Sequence, residues 1–189
     1  MPFDHFNLIA GFYDRSRAFP VSELLLGLLS LSPDSLLLDA GGGTGRVAAA
    51  LRGMVREVVV ADVSGGMLRR AAGKELAAVC APAESLPFPS GNFDRVIMVD
   101  ALHHVLDQRQ TARELWRVLA PGGRIVLVEP DIRKFIIKLI AIGEKILLMR
   151  SHFFTGEKMA SLFTGQPAKI GVYYEGLNVI LVAEKVRSL

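Results

Sequence analysis

The run from Leu36 to Gly45 constrains the fold of this chain more than any other stretch. Its letters are LLLDAGGGTG, so a short apolar segment ends in the carboxylate of Asp39 and passes into a glycine-rich turn. Residues 46–51 then have the composition of a helix. Glycines let the backbone adopt positive φ and leave space for a ligand against the main chain, and the following helix offers free N–H groups there. The stretch therefore predicts a strand, a tight loop and a helix that together bind a nucleotide-like ligand.

Apolar runs and helical segments continue to alternate along the chain. The predicted strands cover 36–38, 57–62, 77–81, 95–100 and 125–129, and a closing hairpin joins 169–174 to 178–183. The predicted helices cover 3–19, 21–31, a segment capped by Ser64, 108–119, 132–149 and 156–163. Continuous apolar strands separated by helices are typical of a parallel sheet with helices on both faces, which places the chain in the α/β class.

The composition is that of a folded domain and excludes several classes of protein. With 189 residues, 51% of them hydrophobic and 22% charged, the chain suits a single domain over 1–189. A net charge of +3 without an aromatic and basic pattern does not indicate a nucleic-acid partner. The single cysteine, Cys80, excludes a disulfide framework and a cysteine-rich metal site, and we predict no metal. The N terminus lacks a signal-peptide pattern, so we expect a cytoplasmic protein.

Asp39 distinguishes two nucleotide ligands that suit such a loop. A dinucleotide brings a pyrophosphate to the first turn, where a carboxylate repels it, although Gly43-x-Gly45-x-x-Ala48 matches the looser dinucleotide fingerprint. S-adenosylmethionine has a sulfonium and an ammonium group and no phosphate, so an acid there attracts it. Asp62 ends the next apolar run, where a carboxylate can accept both ribose hydroxyls of either ligand. We predict S-adenosylmethionine, and an NAD-dependent oxidoreductase remains the alternative.

Six motifs in order resemble the class I S-adenosylmethionine-dependent methyltransferases. They are Asp39-x-Gly41-x-Gly43-x-Gly45, Asp62, the segments 83–88, 93–96 and 101–105, and Leu119-x-Pro121-Gly122-Gly123. The sequence is most similar to the branch (methyltransferase type 11) that includes the ubiquinone and menaquinone C-methyltransferases, over about residues 6–130. The resemblance implies a Rossmann-like fold with a seven-stranded, mostly parallel sheet and an antiparallel last strand.

The resemblance also implies roles for matching residues. The loop would hold the methionine part of the cofactor, Asp62 the ribose, and the Ala83 N–H the adenine ring. The implied cofactor-binding residues are Tyr13, Asp39, Ala40, Gly41, Gly43, Gly45, Asp62, Val63, Met67, Ala83, Glu84, Asp100 and Ala101. The chain departs from the family at Pro82, where Asp or Asn usually accepts from the adenine amino group, and Glu84 is a candidate substitute. A non-catalytic protein that binds S-adenosylmethionine is therefore a further alternative.

Two adjacent histidines follow the fourth predicted strand. Methyl transfer from a sulfonium releases neutral S-adenosylhomocysteine, so alignment supplies much of the acceleration and a base is needed only when the acceptor must lose a proton. His103 and His104 are the candidates because an imidazole titrates near neutral pH. The alternative is that the two rings cap the next helix and pack the loop.

The helix predicted over 132–149 bears on the acceptor. It is strongly apolar, and between residues 131 and 150 the sequence has five basic residues and two acidic ones. We expect residues 131–165 to form substrate-side lid helices and 1–34 to form cap helices. An apolar helix with a basic fringe suggests a hydrophobic acceptor, such as a quinone precursor or a lipid headgroup, delivered at a membrane surface. The alternative is that this face packs on the sheet or on the second subunit of a homodimer.

Overall fold

A computed structural model describes residues 21–146 and 152–186, and within them the chain forms a seven-stranded sheet. The strands are β1 Leu36–Ala40, β2 Glu57–Asp62, β3 Ala77–Cys80, β4 Phe93–Val99, β5 Leu119–Pro130, β6 Ala168–Glu175 and β7 Asn178–Lys185. The helices are α1 Glu23–Leu29, α2 Arg46–Leu51, α3 Gly65–Ala72, α4 Gln108–Val118, α5 Phe135–Ile146 and α6 Gly156–Ser161. The order is β3-β2-β1-β4-β5-β7-β6, and β7 alone runs in the direction opposite to the other six strands. The predicted fold class is confirmed.

The central strands are buried on both faces because nearly every residue in them is apolar. Successive residues alternate between two buried clusters on opposite sides of the sheet. In β4, Val96 and Met98 pack in one cluster and Ile97 packs in the other, and β5 repeats the alternation over Ile125–Val128. This double burial explains why the strands appear in the sequence as continuous apolar runs instead of alternating ones.

The boundaries differ from the sequence expectation mainly at β5. The predicted turn at 121–123 lies inside this strand as an irregularity, because Phe93 pairs with Leu119 and Arg95 then pairs with Arg124. Gly122 has a φ of +80°, so the extra residues fit without ending the strand. The other elements match within a few residues, except that α5 starts at Phe135 instead of Ile132.

The N-terminal predictions are only partly covered by the structure. The helix expected over 21–31 is observed as α1, which the Ser22 side chain caps by accepting from the Leu25 N–H. The helix expected over 3–19, with Tyr13, lies outside the described residues.

The parallel strands bring four connecting segments to one edge of the sheet. The carboxyl ends of β2, β1, β4 and β5 are neighbours in that order, so the segments that follow them lie together. The chain order reverses between β1 and β4, and open α/β sheets bind ligands beside such a reversal at the carboxyl ends of the strands. This edge, called the carboxyl edge below, therefore holds the candidate site.

Candidate functional site

The loop after β1 has the backbone geometry that its glycines predict. Gly41, Gly43 and Gly45 have φ of +68°, +56° and +71°. A Cβ atom at Gly41 would lie 2.7 Å from the Cβ of Ala101, so this loop and the one after β4 are in close contact. Glycine is thus required here both by conformation and by space.

Asp39 lies beneath this loop and is fully buried. Its Oδ2 accepts a hydrogen bond of 3.2 Å from the Ala48 N–H, and its Oδ1 has no partner among the described residues. Burial raises the pKa of Asp39 to about 7, and the nearby charge of Asp62 also raises it. The Ala48 N–H at the start of α2 therefore bonds to the protein's own carboxyl group, whose second oxygen is available for a cation or a water.

Asp62 connects the end of β2 to the glycine loop. Its Oδ2 accepts from the Gly43 N–H at 2.9 Å, and its Oδ1 accepts from the Ser64 N–H at 2.8 Å. The side chain is only half-buried, so it remains within reach of a ligand at the edge. Ser64 also caps α3 through the Met67 N–H, as the sequence predicts.

The side chains expected around the adenine differ in exposure. Val63 is 63% exposed, whereas Met67 and Ala83 are buried. Pro82 is exposed at the surface. Glu84 Oε1 accepts from the backbone N–H groups of Leu106 and, at 3.3 Å, Asp107, so this carboxylate fixes the loop before α4. That engagement disfavours the idea that Glu84 substitutes for the side chain missing at position 82.

Glu129, at the end of β5, organises the loop after β4 and was not identified from the sequence. It is fully buried. Its Oε1 accepts from the backbone N–H groups of Ala101 at 3.0 Å and Leu102 at 2.8 Å, and its Oε2 lies 2.5 Å from His103 Nδ1. The sequence pattern that could have identified Glu129 is an acidic residue at the end of a buried apolar run, the pattern that identified Asp39 and Asp62.

The two histidines differ in their surroundings. The His103 ring is buried, stacks on Phe153 with centroids 4.7 Å apart, and lies 3.9 Å from the His104 ring. The His103 carbonyl also accepts from the His152 N–H, which ties the loop to the segment before α6. Burial, the larger cause, and the nearby charge of His103 together lower the pKa of His104 to about 3. Helix capping is not their role, because Asp107 caps α4.

Asp100 lies between this loop and the glycine loop. Its φ is +52°, an uncommon value for a residue other than glycine. Its carboxylate is partly exposed and lies 3.9 Å from the Arg46 guanidinium. Desolvation raises the pKa of Asp100, and the nearby charge of Glu129 adds to this effect. Uncommon backbone conformations cluster at functional sites, so the φ of Asp100 supports including this residue in the candidate site.

Known methyltransferases are similar to this chain in sequence over about half of its length. Residues 38–127 match the family described as "Methyltransferase domain". The chain is 40% identical over 101 residues to demethylmenaquinone methyltransferase of Mycolicibacterium vanbaalenii, a match covering 53% of this chain and 44% of the relative. It is 37% identical over 142 residues to ubiquinone/menaquinone biosynthesis C-methyltransferase of Edwardsiella ictaluri, covering 66% and 57%.

A solved structure shows the same fold. The chain superposes on a SAM-dependent methyltransferase from Thermotoga maritima with a TM-score of 0.79 and 22% identity, over 95% of this chain and 97% of that one. Residues 38–127 therefore match a methyltransferase domain, and nearly the whole chain shares the fold of a solved methyltransferase. It spans about half the length of the curated relatives it matches.

Proposed function

We propose that this protein transfers a methyl group from S-adenosylmethionine to a small hydrophobic acceptor of the quinone-precursor class. The observation that carries the choice of cofactor is Asp39, a buried acid under the glycine loop with an oxygen that has no partner among the described residues. A pyrophosphate at this turn would meet a carboxyl group, whereas the ammonium and sulfonium of S-adenosylmethionine would be attracted to it. This argument disfavours the NAD-dependent alternative.

The cofactor would lie along the carboxyl edge from β2 to β4. Asp62 would accept the ribose hydroxyls, and Asp39 would favour the ammonium through the loop or a water. The adenine would pack between Val63 and Met67 and accept from the Ala83 N–H, and the methionine end would lie beside Asp100 and Ala101. Gly43 leaves room for this approach, because the nearest side-chain atoms to a Cβ there would be those of Met67 at 3.8 Å and Asp62 at 3.9 Å.

The chemical step is a displacement in which the acceptor carbon attacks the methyl group and the S–CH₃ bond breaks. Carbon methylation of an aromatic ring also releases a ring proton, which a base accepts. Of the two candidates we favour His103, because a pKa of about 3 makes His104 a weak base. Glu129 at Nδ1 would fix the orientation of the His103 ring for this role.

The acceptor class rests on the names of the relatives and on the apolar surface of α5, and it can be tested by turnover. Purified protein is incubated with methyl-labelled S-adenosylmethionine and either a demethylated quinol with a short prenyl tail or a polar amine acceptor. We expect label in the quinol and none in the amine. Label in the amine alone would contradict the acceptor class. Absence of turnover with every acceptor, despite cofactor binding, would instead favour the non-catalytic alternative that Pro82 suggests.

Asp39 should make stability and cofactor affinity depend on pH. The folded state holds this proton up to about pH 7 and the unfolded state loses it near 3.8, so ionisation of this group reduces stability as pH rises across that range. Asp39→Asn cannot ionise, so its stability relative to the wild type should increase by about 2–3 kcal/mol from pH 5 to pH 8. Urea unfolding at both pH values measures this difference.

The same variant tests the contact with the cation. Wild-type affinity for S-adenosylmethionine should rise about tenfold between pH 5.5 and 8 as the cation stabilises the ionised form, and the affinity of Asp39→Asn should stay nearly constant. Equal pH dependence in both proteins would show that Asp39 does not contribute to binding of the cation.

A further inference from the structure

Helix α5 presents large apolar side chains to solvent. Phe135 is 75% exposed, Ile136 51%, Leu139 52% and Ile142 56%. Positions 135, 139 and 142 recur at helical spacing, so they form one stripe, with Ile136 beside it. Ile137 points the other way and is buried. The alternative that this apolar face packs on the sheet is therefore disfavoured for these four exposed residues.

Basic side chains border this stripe. Lys134 and Lys138 are exposed one helical turn apart. Arg133 neutralises the charge of Asp131 by donating to both carboxylate oxygens. The Arg133 guanidinium also lies over the Tyr174 ring, 4.2 Å from the ring centroid. The stripe thus carries positive charge from the two lysines. We call Phe135, Ile136, Leu139 and Ile142, with Lys134 and Lys138, the α5 surface.

The α5 surface starts at the edge that holds the candidate site. The helix follows the carboxyl end of β5, where the Asp131 N–H donates to the Leu177 carbonyl in the turn between β6 and β7. Tyr174 and Leu177 are themselves exposed, at 43% and 46%. An aromatic ring, aliphatic side chains and lysines therefore occur together next to the site, the combination that favours the boundary between lipid headgroups and acyl chains.

We propose that the α5 surface lies in the headgroup region of an anionic membrane and holds the site at the bilayer surface. This deepens the proposed function, since it states where a hydrophobic acceptor is delivered. Anionic headgroups complement Lys134 and Lys138, whereas a twofold contact between copies would bring like charges together around the apolar stripe. In residues 21–146 and 152–186 no helix is long and apolar enough to cross a bilayer. The proposed contact is peripheral.

The test is cosedimentation of the full chain with phosphatidylcholine vesicles that contain phosphatidylglycerol or lack it. We expect binding to the anionic vesicles and at least about tenfold weaker binding to the neutral ones or in high salt. The pair Lys134→Gln and Lys138→Gln should weaken binding about 30-fold, and Leu139→Gln with Ile142→Gln at least about tenfold. The pair Arg56→Gln and Lys169→Gln makes the same charge change at the opposite edge and should have little effect.

Three results would overturn the inference. These are no binding to anionic vesicles at low salt, equal losses in the lysine and control pairs, or a dimer in sedimentation that Leu139→Gln with Ile142→Gln dissociates. Stabilisation by S-adenosylmethionine and turnover of a short-tailed soluble acceptor need no membrane. If the cofactor stabilises the protein and the soluble acceptor is methylated while vesicle binding is absent, only this inference fails. If vesicle binding is present while cofactor stabilisation and turnover are absent, the proposed function fails.

Discussion

Replacing Glu129 with alanine should lower the free energy of unfolding by about 3–5 kcal/mol. The carboxylate is fully buried and accepts from two backbone N–H groups and the His103 ring, so its removal takes a hydrogen-bond partner from each of these three groups and leaves a cavity. Urea unfolding of the two proteins at pH 7 measures the difference. A loss below 1 kcal/mol would mean that water or another side chain replaces the carboxylate.

Glu129→Gln separates the structural effect from the effect on the histidine. Its amide oxygen can still accept from the Ala101 and Leu102 N–H groups, so we expect a stability loss of only about 1–2 kcal/mol. Its amide nitrogen, however, would donate to His103 Nδ1 and favour the other tautomer. We therefore expect methyl transfer to fall about 100-fold and its pH profile to change, with S-adenosylmethionine affinity nearly unchanged. Full activity with an unaltered profile would remove His103 as the base.

Asp62→Ala should weaken S-adenosylmethionine binding about 100-fold or more. Each hydrogen bond from a ribose hydroxyl to a carboxylate contributes about 1.5–3 kcal/mol, and the proposed contact has two. The substitution also removes the acceptor of the Gly43 N–H, so the glycine loop loses a support from β2. Calorimetric titration measures the affinity.

Asp62→Asn serves as the matched control for this position. It keeps an oxygen for the Gly43 N–H but lacks the charge, so an intermediate loss is expected. Unchanged affinity in both variants would place the ribose elsewhere.

The sequence predicts most of the fold because its signals are local. The strands are apolar runs buried on both faces, and glycine with positive φ marks the loop after β1. Asp39 and Asp62 could be assigned to the same edge because each ends a parallel strand, and the carboxyl ends of such strands are neighbours.

What the sequence did not predict depends on contacts between distant segments. Glu129 binds N–H groups 27 and 28 residues away, and that pairing follows from the register of β4 and β5, which the irregularity within β5 shifts. Glu84 likewise bonds across 22 residues to the loop before α4. Periodicity gives α5 an apolar face but does not determine whether that face meets the sheet or solvent, because that depends on where the helix leaves β5.

The measurement that tests the central claim most directly is a calorimetric titration of the wild-type protein with S-adenosylmethionine, S-adenosylhomocysteine and NADH, repeated as a melting-temperature series. A ligand that binds only the native state raises Tm once its concentration exceeds Kd. The account predicts that both sulfur-containing ligands bind and stabilise the protein and that NADH does neither. Stabilisation by NADH alone would mean that Asp39 tolerates a pyrophosphate at the glycine loop, and the assignment of a methyltransferase function would be contradicted.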